Sequence, residues 1–105
     1  MSTPLAGALR RYAMSAPVEL QHEIQGTMAG LLIELTQESA RISQLQPGTY
    51  AAGDSITVQT PCGRKLPALV HSTFGGRANV RFAEALHLPE LAQLLDANRS
   101  QAALA

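Results

Sequence analysis

The sequence predicts a mainly β protein, a small six-stranded antiparallel barrel with a C-terminal helix and a short N-terminal helix. Apolar and polar residues alternate through residues 55–82, which is the period of strands with one buried face. Turn signals at 61–63 and 75–76 divide this stretch into three consecutive antiparallel strands. A leucine stripe near the C-terminus can cover one end of the barrel. The apolar members of the alternating stretch are Ile56, Val58, Leu66, Ala68, Val70, Ala78, Val80 and Phe82.

Residues 1–17 are expected to form an N-terminal helix or arm. Thr3 can cap a helix with its hydroxyl, and Pro4 suits the first helical position. Pro17 would end the segment, because proline disfavours helix in the residue before it. One face of this helix would carry Leu5, Ala8, Leu9 and Tyr12.

Three further strands are predicted before the alternating stretch, with the barrel and its C-terminal helix spanning residues 18–99. Residues 18–24 alternate weakly, and residues 40–42 make a short strand after the polar connection 36–39. Residues 28–35 are almost continuously apolar, so this strand is expected to lie centrally with both faces covered. A loop with a Pro-Gly turn should follow from 43 to 54.

The last helix is predicted from residue 88 onward. Pro89 suits its first turn, Glu90 lies near its positive N-terminal end, and Arg99 lies near its negative C-terminal end. Residues 100–105 are expected to be a frayed tail. The apolar stripe that should cover the barrel consists of Leu88, Leu91, Leu94 and Leu95; a partner-binding surface that also includes Leu86 is the alternative.

Composition excludes several classes of protein. The chain has 105 residues, enough for one domain, and its formal net charge is zero. Proteins that bind nucleic acid through its phosphates need an excess of Lys and Arg, so no nucleic-acid partner is expected. No apolar run reaches the length of a membrane span and no secretion signal is visible, which predicts a cytoplasmic protein without membrane insertion.

No catalytic or metal-binding pattern stands out. His22, His71 and His87 lack the clustered His, Cys or carboxylate partners that a zinc site needs, so neither a metal nor a cofactor is expected. Cys62 lies in a turn beside Arg64 without a second cysteine, and it is interpreted as a turn residue. The carboxylates are scattered, which argues against an enzyme.

The order of these elements resembles the PilZ family of bacterial domains over residues 10–95. Three segments carry the resemblance, Ala40-Arg41-Ile42, Gly53, and Val80-Arg81-Phe82 in a stretch similar to the family's G-V-R-F-like strand. PilZ domains are six-stranded barrels, and many of them bind the second messenger cyclic di-GMP. The resemblance therefore implies a PilZ-like barrel and a candidate nucleotide site.

The family's nucleotide clamp combines an R-x-x-x-R segment with a D-x-S-x-x-G turn, and both halves are altered here. Residues 10–15 are similar to R-R-x-x-x-R with Ser15 in place of the last arginine. Residues 34–39 occupy the place of the turn, with Glu for Asp, Thr for Ser and Ser for Gly. The resemblance thus implies a remnant ligand-binding set of Arg10, Arg11, Glu34, Thr36 and Ser39.

The altered clamp predicts weak or absent cyclic di-GMP binding. A missing arginine removes charged hydrogen bonds worth about 1.5–3 kcal/mol. Ser39 adds a Cβ that hinders a positive φ and a close approach, and Glu38 adds negative charge beside the diphosphate site. The plainer alternatives are a solvated arginine pair at 10–11 and an ordinary polar loop at 36–39. Likewise, Arg64, Arg77 and Arg81 form either an anion-binding face or a solubilising surface.

Two functions follow from the resemblance. The first is a module in bacterial signalling, motility or surface-appendage pathways that acts on an unidentified protein partner, with weak or lost cyclic di-GMP binding. The alternative is a functional cyclic di-GMP receptor whose N-terminal arm becomes ordered against the barrel when the ligand binds.

Overall fold

In the described part of the chain, six antiparallel strands form a closed barrel followed by one helix, which confirms the predicted fold class. The computed structural model describes the backbone of residues 10–104 and the side chains of residues 10–96. The elements are β1 (Tyr12–His22), β2 (Gly26–Leu35), β3 (Ser39–Ser43), β4 (Ser55–Gln59), β5 (Lys65–Phe74), β6 (Arg77–Phe82) and α1 (Leu88–Leu104). Around the barrel the strands follow the order β1-β2-β3-β6-β5-β4.

The predicted succession of three antiparallel strands is confirmed as β4, β5 and β6. All the apolar members of its alternation are buried, because they point into the barrel. The pairing of β1 with β4 closes the barrel, and it places Leu20 opposite Val58. Both side chains are fully buried, so the core runs through the middle of the barrel.

The prediction that both faces of β2 are covered was wrong. Leu32 and Leu35 are buried, whereas Leu31 and Ile33 remain partly exposed. A barrel closed by one layer of strands buries only its inner face, so the outer apolar residues of β2 stay in contact with solvent. On the inner side Gly30 leaves space for Ile42, whose Cγ2 would lie 2.8 Å from an added Cβ.

The N-terminal prediction differs from the structure at Tyr12–Pro17, which lie in β1 and not in a helix or arm. Their backbone pairs with β2 from Tyr12 opposite Leu35 onward, and this pairing outweighs the local helix signals. Pro17 is tolerated because β1 pairs with β4 only from Glu19 to His22, which leaves one side of the strand open at the proline. The predicted cap at Thr3 and Pro4 lies outside the described residues.

Helix α1 covers the barrel end near the 36–38 and 60–64 turns. Leu91 and Leu94 are buried in the core together with Leu86, as the covering role requires. Leu88 is 65% exposed and does not belong to the buried stripe, because it occupies the first turn of the helix. The helix continues to Leu104, beyond the predicted end at Arg99. Within the described residues, no helix is both long and apolar enough to cross a bilayer.

Glu90 links the start of α1 to the barrel. Its Oε1 accepts a hydrogen bond from the His87 backbone N–H at 2.9 Å, as in one half of a capping box. Its Oε2 accepts from Arg64 Nη1 at 2.7 Å, and Arg64 Nη2 also donates to Gln93 Oε1. One carboxylate therefore caps the helix and ties it to the turn between β4 and β5.

Glu90→Ala is expected to lower the free energy of unfolding by about 1 kcal/mol, since it removes the cap and an ion pair of modest worth. Chemical denaturation followed by circular dichroism measures the loss. Glu84→Ala is the matched control, because Glu84 is exposed and makes no contact of this kind. Equal stability of the two variants would contradict the capping role.

Candidate functional site

Irregularities in three strands surround one part of the outer barrel wall. The register shifts between Ala13 and Ala16 in β1, between Leu32 and Glu34 where β2 meets β3, and between Val70 and Ser72 in β5. A bulge adds a residue that the partner strand does not match, and so re-aims the side chains beside it. In β2 the shift leaves Glu34 outside the barrel core, and in β5 it places Ser72 opposite the outward Asn79, next to the exposed His71.

A cleft of about 240 Å³ lies among these bulges. It brings together four of the five predicted ligand-binding residues, although Arg11 lies far in sequence from the others. Arg10 is exposed and does not line the cleft. The lining residues are Arg11, Glu34, Thr36, Ser39, Ala40, Arg41, His71, Asn79, Val80 and Arg81.

Thr36 organises the turn between β2 and β3. Its Oγ1 accepts hydrogen bonds from the backbone N–H groups of Ser39 at 2.9 Å and Glu38 at 3.1 Å. Its backbone N–H donates to the carbonyl of Ser39, and the Thr36 and Ser39 hydroxyls are 2.9 Å apart. The Thr36 hydroxyl therefore has a structural role in a nearly buried turn.

Ser39 does not carry the backbone strain expected from its place in the glycine position. Among the described non-glycine residues only Gln44 has a positive φ, of 64°. Ser39 begins β3 opposite Arg81 of β6, in extended backbone that any residue adopts. The expected conflict between its Cβ and a positive φ is thus absent. Ser39 can hinder the close approach of a ligand only through the space that its side chain occupies.

Two arginines of the cleft already face carboxylates of the same chain. Arg41 Nη2 lies 3.8 Å from Glu34 Oε1, and Arg41 Nε donates to Asn79 Oδ1 at 3.0 Å. Arg81 Nη2 lies 3.9 Å from Glu38 Oε1. Arg11 lines the same cleft and makes no ion pair within the described part of the chain. Much of the positive charge of the cleft is therefore internally balanced.

Sequence reasoning missed Arg41, His71 and Asn79 as cleft residues. Arg41 belongs to a segment that carries the resemblance, and alternation already placed Asn79 on the outer face, so both were accessible from the sequence. The same alternation placed His71 on the outer face, since it follows the buried Val70 in β5. Of the arginines 64, 77 and 81, only Arg81 lines this cleft, whereas Arg64 lies beside α1.

The remaining candidate residues have local partners. His22 Nδ1 accepts hydrogen bonds from the backbone N–H groups of Ile24 and Gln25, which closes the turn between β1 and β2. The Thr60 Oγ1 and Cys62 Sγ atoms lie 3.1 Å apart, and the hydrogen bond between these side chains lowers the pKa of the exposed Cys62 thiol. The residues with described side chains contain no cluster of three or more His, Cys, Asp or Glu that could hold a metal ion.

Comparison with solved structures shows the fold of a PilZ domain. The chain superimposes on the Bacillus subtilis inhibitor of motility, MotI/DgrA, with a TM-score of 0.65 and 15% identity, covering 89% of this chain and 50% of that one. It superimposes on the PilZ domain of CeSA from a cellulose-synthesizing bacterium with a TM-score of 0.61 and 18% identity, covering 88% and 97%. The chain thus spans half the length of the first protein and nearly all of the second domain. No family model matches the sequence, and a search of curated proteins finds no significant match.

Proposed function

We propose that this chain is a PilZ-type signalling module that acts by docking on a partner protein and binds cyclic di-GMP weakly or not at all. The role is one of binding, without a catalytic step. The likeness of its fold to a PilZ domain and to an inhibitor of motility supports a place in bacterial signalling.

The internal charge balance of the cleft supports weak nucleotide binding. Cyclic di-GMP carries two phosphates, which arginine binds best when its guanidinium is free to form paired hydrogen bonds. In this cleft Arg41 and Arg81 face Glu34 and Glu38, so a phosphate would have to displace or approach a carboxylate. Ser15 also stands where the resembling clamp has an arginine, and one charged hydrogen bond is worth about 1.5–3 kcal/mol.

The receptor function is a second candidate, because one observation favours it. Arg11 precedes β1, yet it lines the same cleft as Glu34, Thr36 and Ser39, and Arg41, Arg81 and His71 add donors there. A nucleotide bound at this place would contact the residues just before β1. In that case the N-terminal segment would become ordered against the barrel when the ligand binds.

Calorimetric titration of the full chain with cyclic di-GMP separates the two candidates. Since the lost contacts correspond to roughly ten- to a hundredfold in affinity, we expect no binding tighter than about tens of micromolar. Arg11→Ala is the test variant and Arg10→Ala its matched control, because Arg10 is exposed outside the cleft. A submicromolar dissociation constant that Arg11→Ala abolishes and Arg10→Ala preserves would establish the receptor function instead.

A further inference from the structure

Three adjacent strands, β3, β6 and β5, contain no carboxylate. Their charged residues are Arg41, Lys65, Arg77 and Arg81. Every aspartate and glutamate of the described chain lies on another element or in a turn. Glu34 and Glu38 approach only the side of this surface that borders the cleft. We call eight of their outer side chains the basic face: Arg41, Leu69, His71, Ser72, Phe74, Arg77, Asn79 and Arg81.

The strand register arranges the basic face in rows. Arg81 lies opposite Leu69, Asn79 opposite Ser72, and Arg77 opposite Phe74. Cross-strand neighbours of this kind are close enough for their side chains to interact. The basic face therefore presents two arginines, each beside an apolar residue of β5.

A chain of hydrogen bonds holds the middle row in place. Arg41 Nε donates to Asn79 Oδ1 at 3.0 Å, and Asn79 Nδ2 donates to Ser72 Oγ at 3.0 Å. These bonds connect all three strands across their outer surface. The face is thus built on rigid barrel strands with fixed side chains at its centre, which favours binding by a preformed surface.

Two large apolar side chains stand exposed on this positively charged surface. Phe74 is 86% exposed and Leu69 is 50% exposed. Arg77, opposite Phe74, is exposed and makes no ion pair with any described residue. Exposed aromatic and arginine side chains side by side are the composition found at the centres of protein interfaces.

We propose that the basic face is the docking surface for the partner, and that the partner presents an acidic segment with an apolar side chain that packs on Phe74. This inference rests on the proposed function. Carboxylates of the partner would pair with Arg77, which makes no ion pair within the described chain, whereas Arg81 already faces Glu38. Nucleic acid fits less well, because the whole chain has zero net charge and exposed Leu69 offers nothing to a phosphate.

Site-specific photocrosslinking of the full chain in the cells that naturally produce it tests this surface. The photoreactive p-benzoylphenylalanine replaces Phe74, Ile24 or Leu88 in separate variants. Phe74, on the basic face, and Ile24, in the turn between β1 and β2, are both 86% exposed. Leu88, on α1, is 65% exposed. Because all three sites point to solvent, each variant is expected to fold.

The expected result is a covalent adduct between position 74 and the partner protein. Mass spectrometry should show that the crosslinked segment of the partner is rich in Asp and Glu. Arg77→Glu should reduce the adduct about tenfold through like-charge repulsion. Arg10→Glu makes the same change of charge outside the basic face, and it should leave the amount of adduct unchanged.

Other outcomes separate this inference from the proposed function. Adducts at 24 or 88 but not at 74 would show that a partner exists and docks elsewhere, so the basic face would be wrong. An adduct at 74 with nucleic acid, or with a neutral or basic segment, would also overturn the inference. Adducts at none of the sites would contradict the proposed function itself.

Discussion

Leu20→Ala is expected to lower the free energy of unfolding by about 2–5 kcal/mol, a large part of the about 5–15 kcal/mol typical of a whole domain. Leu20 is fully buried in β1, between Met28 of β2 and Val58 of β4. The substitution leaves a cavity where the closing pair of strands meets, and a closed barrel has little freedom to collapse around it. Urea denaturation followed by circular dichroism measures the change, because the chain contains no tryptophan.

Leu69→Ala is the matched control for this prediction. It makes the same chemical change on the outer side of β5, where the side chain is half exposed, and surface substitutions of this kind usually stay within about 0.5 kcal/mol. The slope of the free energy of unfolding against urea concentration should be the same in both variants, so that only the midpoint of the transition differs. If Leu20→Ala lowered the free energy of unfolding as little as Leu69→Ala, the barrel would not close around Leu20.

Ser15→Arg is expected to strengthen cyclic di-GMP binding roughly ten- to a hundredfold, the effect of one regained charged hydrogen bond. Ser15 is exposed in the bulged part of β1, where Ala13 pairs with Glu34. An arginine there would add guanidinium donors at the border of the cleft. The added charge would also offset the carboxylate of Glu34. Calorimetric titration of the variant and the unmodified chain under the same ionic strength measures the gain.

Gln25→Arg is the control for the added charge. Gln25 is exposed in the turn between β1 and β2, at the opposite end of the barrel from the turn that contains Thr36. The same gain in both variants would reflect non-specific attraction of an anion. No gain in Ser15→Arg would mean that the missing arginine is not what limits binding, or that the nucleotide site is elsewhere.

Local pattern was sufficient to predict most strands. The alternation of Ile56 with Val58 and of Ala78 with Val80 identified β4 and β6, because a strand with one buried face repeats every two residues. The turn signals between these strands also predicted their antiparallel succession. Where the local signals conflicted, as at Tyr12–Pro17, pairing with β2 determined the structure, and the helix prediction was wrong for those residues.

The cleft could be predicted only in part. Resemblance identified Arg10, Arg11, Glu34, Thr36 and Ser39, and the structure places all of these except Arg10 on its lining. The ion pair between Arg41 and Glu34 depends on the register between β2 and β3, which includes a bulge. Such a register comes from contacts between distant residues and leaves no clear mark in the sequence.

By itself the sequence determined that this protein builds an antiparallel barrel with a covering helix, since apolar periodicity and turn residues act over a few neighbouring positions. The tertiary structure decided which side chains meet outside that barrel. It joined Arg11 to the turn around Thr36, brought His71 to the cleft, and collected Arg41, Arg77 and Arg81 on three adjacent strands that contain no carboxylate. The physical reason is that strand closure and bulges bring together residues that are distant in the chain, and no local pattern encodes that proximity.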